Sequence, residues 1–226
     1  MILPKETDSM KKMRYIKSIF SLILIFSLIL SIPTLLNSCS EKKVETESAI
    51  GGGSTEDAPK KIIYRLSSEN EKTNYVRIQI KNYGTIVIEL YPDVAPQTVA
   101  WFQELVATDY YNDSEFHRIV KNSFVEGGLP KDTEKIDSLA PLAEESSSLS
   151  LSRGVVSLIR EEKMNGKFFI CLSDTPTYEG SNVPFGKIVD GLESLDKINE
   201  ALVIGQDPVD HMEMMIVRFV YPDPVD

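Results

Sequence analysis

The sequence is poor in the residues that carry most hydrolytic and metal chemistry. Among 226 residues there are two histidines, two cysteines and one tryptophan. His117 and His211 are too few for a histidine-built metal site, and no spacing of His, Cys and carboxylates resembles one, so no metal and no cofactor is implied. The serines form no Gly-x-Ser-x-Gly elbow, which sets aside hydrolase chemistry of that kind. The one glycine run, Gly51-Gly52-Gly53-Ser54, lacks the Lys-Ser/Thr ending and the flanking strand of a phosphate loop. Positive charge is also in deficit: the net charge is −10, which disfavours nucleic acid as a partner.

What is present begins with one long apolar run. Ile19 to Leu36 is almost wholly apolar, follows Lys11, Lys12, Arg14 and Lys17, and ends in Leu36-Asn37-Ser38-Cys39. A basic start, an apolar stretch and small residues before a cut site describe an export signal. Leu-Asn-Ser-Cys resembles the bacterial lipobox, which implies cleavage before Cys39 and lipidation of its thiol. The competing reading is an uncleaved transmembrane anchor, since the run approaches the length that spans a bilayer. Either way the expectation is a domain held to a membrane outside the cytoplasm, in the bacterial cell envelope. Cleavage removes five basic and two acidic residues and takes the net charge from −10 to −13, so the lipid and not charge must hold the chain to the membrane. Cys171, in the apolar stretch Phe168 to Leu172, reads as a small buried residue, and no intrachain disulfide is expected.

The chain divides into a signal peptide (1–38), a flexible tether (39–73) rich in charge and small residues, a domain (74–221) and a short tail (222–226). In the domain, Val76, Ile78 and Ile80 alternate with polar residues. Asn82-Tyr83-Gly84 then turns into Ile86 to Leu90, giving a hairpin with one buried face. Pro96 opens a helix whose Val99, Phe102, Leu105 and Val106 recur at helical spacing. Trp101 is expected to pack rather than touch ligand. Strands are predicted for Arg153 to Ile159, Lys167 to Leu172 and Phe185 to Val189. A second helix follows over Gly191 to Leu202, with Leu192, Leu195 and Ile198 inward. Met215 to Val220 is expected to close the sheet, and Pro222 and Pro224 to end it. Short antiparallel strands with two helices leave a barrel or a sandwich open.

Tyr110 to Pro130 organises the rest. Phe116, Ile119 and Val120 are strand formers, Lys121-Asn122-Ser123 a turn, Phe124-Val125 a second strand, and Gly127-Gly128 a backbone of wide freedom. Arg118 stands at its centre, a planar guanidinium among aromatics, suited to backbone carbonyls beside an apolar ring. Phe-His-Arg-Ile-Val followed by Gly-Gly resembles the signature segment of cyclophilin-type peptidyl-prolyl isomerases. Gly84 to Val99, Arg153 to Ser157, Phe168 to Ile170 and Phe185 to Gly191 resemble further family segments in the family's order.

That resemblance implies a mainly β fold: an eight-stranded antiparallel cyclophilin-like barrel capped by two helices. It also implies a monomeric isomerase acting on proline-containing polypeptides, with Arg118 and Phe169 catalytic and Phe124 lining the proline socket. His117 is expected as a supporting hydrogen-bonding group. The same comparison marks departures. Ser123 replaces a phenylalanine, Glu126 and Lys167 replace glutamines, and Ile159-Arg160 replaces a small residue and an asparagine. Thr177 or Tyr178 stands in the region of a tryptophan, and Asn182 replaces a histidine. A glycine-rich loop beside the groove becomes an acidic rim between Leu129 and Ser152. These changes imply a weakened isomerase for exported proteins, or a catalytically inactive cyclophilin-fold module that binds proline-containing segments or a partner protein. Arg160 and Lys167 suggest a preference for acidic residues beside the proline.

Overall fold

The computed structural model describes residues 62–68, 71–178, 180 and 182–224. The stretch expected to act as an export signal and Cys39 lie outside them, and among the described residues no helix is long and apolar enough to cross a membrane.

Among the described residues, eleven strands and three α-helices follow in the order β1 (Ile62–Leu66), β2 (Tyr75–Ile80), β3 (Gly84–Leu90), α1 (Pro96–Ala107), β4 (Ser114–Val120), β5 (Phe124–Leu129), α2 (Glu134–Asp137), β6 (Val155–Leu158), β7 (Phe168–Cys171), β8 (Val183–Asp190), α3 (Leu192–Glu200), β9 (Val203–Ile204), β10 (Asp207–Pro208) and β11 (Met212–Pro224). Eight of them close a ring in the order β11-β2-β3-β8-β6-β7-β5-β4, with β4 returning to β11. Every pairing is antiparallel, so this is the eight-stranded barrel that the sequence implied.

The interior is filled by the inward residues of each strand, among them Val76, Ile78, Ile86, Ile88, Phe116, Val125, Phe168, Ile170, Phe185 and Val217. α1 supplies Val99, Phe102, Leu105 and Val106 to the same cluster, and Phe102 meets Tyr111, Phe168 and Phe185 with ring centroids 4.8–5.8 Å apart. Aromatic pairs at such distances add about 0.5–1.5 kcal/mol each beyond their burial. Trp101 packs as expected, its indole N–H donating to the Ala140 carbonyl at 3.1 Å. From α3, Leu195 and Ile198 are buried, whereas Leu192, expected inward, is exposed at the first turn and Ser194 takes the buried place. Gly191 before it has φ +85°, and a Cβ there would lie 2.1 Å from the Thr85 carbonyl oxygen. Only glycine tolerates both.

Both ends of the barrel differ from the sequence expectation. Ile62–Leu66, placed in the tether, form β1 and pair with Val220 to Pro224, so β11 runs through Pro222 and Pro224 instead of ending before them. Among the described residues, β1 is the only strand that pairs with β11 beyond Phe219. The two prolines share parity, so their missing N–H groups fall on one side of a strand that has an open side there.

The segment between β5 and β6 contains only the single turn α2 and is otherwise without regular structure. It is anchored by Glu145, whose carboxylate accepts from the Gln97 and Thr98 amides at 3.0 and 2.8 Å. α1 has no side-chain cap of its own at Ala95, so a residue 47 positions away satisfies its orphan amides.

Candidate active site

β4, β5 and β7 lie side by side and set Arg118, Glu126 and Phe169 in one row, with Arg118 opposite Glu126 and Glu126 opposite Phe169. β4 is irregular here. Phe116 pairs with Gly127 and Arg118 with Glu126, which leaves His117 as an extra residue in the strand. Consecutive residues of a regular strand point to opposite faces, but a bulge lets two oppose one. His117 Nε2 and Arg118 Nη1 therefore both reach the Glu126 carboxylate, at 3.4 and 3.0 Å.

Glu126 is the buried hub of this network. Its side chain is 8 % exposed and also lies 3.5 Å from the Lys167 ammonium. Hydrogen bonding from His117 comes first in holding its carboxyl down at about 2; burial works in the opposite direction, and Arg118 and Lys167 reinforce the lowering. Lys167, with a side chain only 15 % exposed, is bonded in turn to Glu161. Its charge is spent inside this lattice.

Arg118 is less engaged. Its side chain is 41 % exposed, Nε donates to Gln206 Oε1 at 2.7 Å and Nη1 to Glu126. Three of its five N–H groups have no partner among the described residues. The guanidinium carbon lies 5.2 Å from the centre of the Phe124 ring, within cation–π range. Phe124 contacts Phe169 at 5.3 Å and Tyr178 at 5.3 Å, the latter edge-on.

Under these rings sits a second apolar cluster, separate from the barrel interior: Phe124, Leu151, Val155, Phe169 and Cys171, with Val120, Leu149 and Ile159 at its edge. Phe124 and Phe169 are only 6 % and 4 % exposed, so little of either ring is open to a ligand. Burial raises the Cys171 thiol, which lies 3.4 Å from the Thr175 hydroxyl and stays protonated at neutral pH.

The remaining positions singled out in the sequence fall around this centre. Ser123 acts through its backbone, its carbonyl accepting from Leu172 at 2.7 Å. Asn182 accepts from the Arg160 amide at 3.4 Å, and the Arg160 side chain turns to the acidic loop, 3.1 Å from the Glu145 carbonyl and 3.8 Å from Glu144. A cavity of about 430 Å³ opens between that loop and residues 160–164. Thr177 is exposed on the short helical turn Pro176–Tyr178, and its neighbour Tyr178 is the one that joins the aromatic group. Sequence reasoning missed Gln206, Glu161 and Leu151. Gly205-Gln206 announced only a turn, and nothing local tied it to Arg118.

A guanidinium with free donors beside packed aromatic rings, on the outer wall of a closed antiparallel barrel, defines a site for an apolar ring next to a backbone carbonyl. The family model described as "Cyclophilin type peptidyl-prolyl cis-trans isomerase/CLD" matches residues 75–219. The chain belongs to the cyclophilin-type peptidyl-prolyl cis-trans isomerase family. It is 32 % identical over 148 residues to a peptidyl-prolyl cis-trans isomerase of Helicobacter pylori, covering 62 % of this chain and 90 % of that one. It is 35 % identical over 164 residues to a peptidyl-prolyl cis-trans isomerase-like 2 protein of Rhizopus delemar, covering 69 % of this chain but only 30 % of that one. A crystal structure of a Cryptosporidium parvum cyclophilin type isomerase, in the presence of the dipeptide Ala-Pro, superposes with a TM-score of 0.56 at 26 % identity, covering 64 % of this chain and 97 % of that one.

Proposed function

We propose that this domain catalyses cis-trans isomerisation of X-Pro bonds in polypeptides outside the cytoplasm, with turnover restrained by Glu126. The observation that carries the reading is Arg118, poised over Phe124, which itself packs on Phe169, with three of its N–H groups unclaimed among the described residues. A planar amide resists twisting by about 18–20 kcal/mol because resonance is lost, and no bond need break. In the twisted form the prolyl nitrogen regains a lone pair that the planar forms lack. A guanidinium N–H that donates to it binds the transition state better than either ground state. The rings of Phe124, Phe169 and Tyr178 hold the pyrrolidine while the acyl side turns. Tyr178 restores part of the aromatic wall that Ser123 and Thr177 do not supply.

The Ala-Pro dipeptide associated with the Cryptosporidium relative supports proline-containing segments as substrates. The basic, apolar and cysteine-terminated leader supports lipid attachment at Cys39 and a place in the bacterial envelope. There a monomeric isomerase would assist exported chains, whose folding waits on slow prolyl exchange. The charges of Arg160 and Lys167 are met by the protein's own carboxylates, which argues against selection of acidic flanking residues. The small exposed area of Phe124 and Phe169 favours one other reading, a module that binds proline-containing segments without turnover. Exchange spectroscopy on a short X-Pro peptide decides between them. Acceleration that is lost in Arg118→Ala supports catalysis, and binding without acceleration supports the module.

A further inference from the structure

We propose that Gln206 is a positioning residue for Arg118. The inference rests on the isomerase reading above. Gln206 sits at the tip of a two-residue connection between β9 and β10, where Gly205 has φ +68° and supplies the positive dihedral that such a turn demands. The hairpin is fastened to β4 at two points on one residue. The Ile119 amide donates to the Gln206 carbonyl at 2.8 Å, and Arg118 Nε donates to the Gln206 side-chain oxygen at 2.7 Å. The backbone bond fixes where the turn lies, and the side-chain bond fixes the plane of the guanidinium.

A guanidinium gripped at Nε and at Nη1 has two points of its plane defined, so its remaining donors face one direction. Glu126 alone, bonded at Nη1, would leave the group free to swing about that contact. The chemistry of the second grip matters too. An amide oxygen holds Arg118 without adding a negative charge, so only one carboxylate, Glu126, opposes the cation that must face the substrate. Gln206 thus separates aiming from neutralisation. Its side chain is exposed, and its bond to Ile119 runs through the backbone, so replacing the side chain leaves the turn in place.

The test uses the full chain with 15N-labelled arginine and two variants, and reads peptide exchange beside the solvent protection of the Arg118 Nε–H. The wild type is expected to show a protected Nε–H. Gln206→Ala should lose that protection together with about tenfold in kcat/KM, mainly in kcat. Gln206→Glu should keep the protection yet lose turnover to a similar extent, because a second carboxylate cancels the charge it holds. Where the wild type turns over, unchanged turnover in Gln206→Ala overturns the proposal, whatever the Nε–H shows. If the wild-type chain has no turnover, the isomerase reading fails on its own. The grip is then decided by protection alone, sustained if Gln206→Ala removes it and refuted if the wild type never had it.

Discussion

Replacing Glu126 by glutamine should make the domain faster and less stable at once. The carboxyl is held at about 2 against an ordinary 4.5, a preference for the ionised folded form worth roughly 3 kcal/mol. Glutamine is close in shape to the protonated acid, so at neutral pH the variant should forfeit about that much stability. The sign follows from the direction of the shift. A depressed carboxyl stabilises above pH 4.5 and loses its contribution as pH falls toward 2, so the two proteins should differ most at neutral pH and converge in acid. Turnover should move the other way. A carboxylate about 6 Å from a carbonyl oxygen bearing about half a unit charge, at an effective dielectric of about 20, opposes binding by about 1.4 kcal/mol. Part of that gain is lost because a neutral acceptor holds Arg118 less firmly, which leaves an expected three- to tenfold rise in kcat/KM. Urea melts at several pH values give the first quantity and peptide exchange the second. If Glu126→Gln remains folded with equal or lower kcat/KM, the carboxylate aims Arg118 more than it neutralises it, and the restraint assigned to it is wrong.

Four further outcomes follow. Gly191→Ala should destabilise by at least about 2 kcal/mol, since the dihedral is strained for any side chain and the Cβ meets the backbone of β3 at 2.1 Å; the urea midpoint measures this. Phe102→Ala, which removes a ring packed on three others, should cost about 3–5 kcal/mol and lower Tm by roughly 10 °C or more in calorimetry. Tyr178→Ala takes an exposed ring off Phe124. It should leave stability within about 0.5 kcal/mol while weakening X-Pro peptide affinity by about fivefold, read by titration. Cys39→Ser should abolish lipid attachment and release the domain from membranes, which fractionation and intact mass would show.

The strands and helices were legible because their signals are local, whereas the choice of a barrel over a sandwich came from the resemblance of the ordered motifs. Alternation in β2 and β3, the proline that opens α1 and the helical spacing behind it each depend on a few adjacent residues, and each was read correctly. What could not be read depends on partners far along the chain. Isolated, Ile62-Ile63-Tyr64 is a short apolar scrap, and it becomes a strand only because Val220 to Pro224 lie beside it. Pro222 and Pro224 look like terminators until the open side of that pair is seen. Glu145 is one acid in an acidic loop until its carboxylate meets the first turn of α1. In the site, the Arg118–Glu126 contact was foreseeable from a two-strand alignment, but the bulge that adds His117, and the distant turn that brings Gln206, were not. Leu192 failed for a different reason, because helical spacing alone does not say where the first turn leaves the barrel.

Since Ile62 faces Pro224 across the β1–β11 ladder, the two ends of the described domain emerge side by side. Tension applied between them would peel five residue pairs apart in succession instead of shearing them together, because both grips are at the same end of the ladder. What yields first under load is therefore a strap outside the closed ring, and the wall that carries Arg118 would keep its shape after the strap had let go.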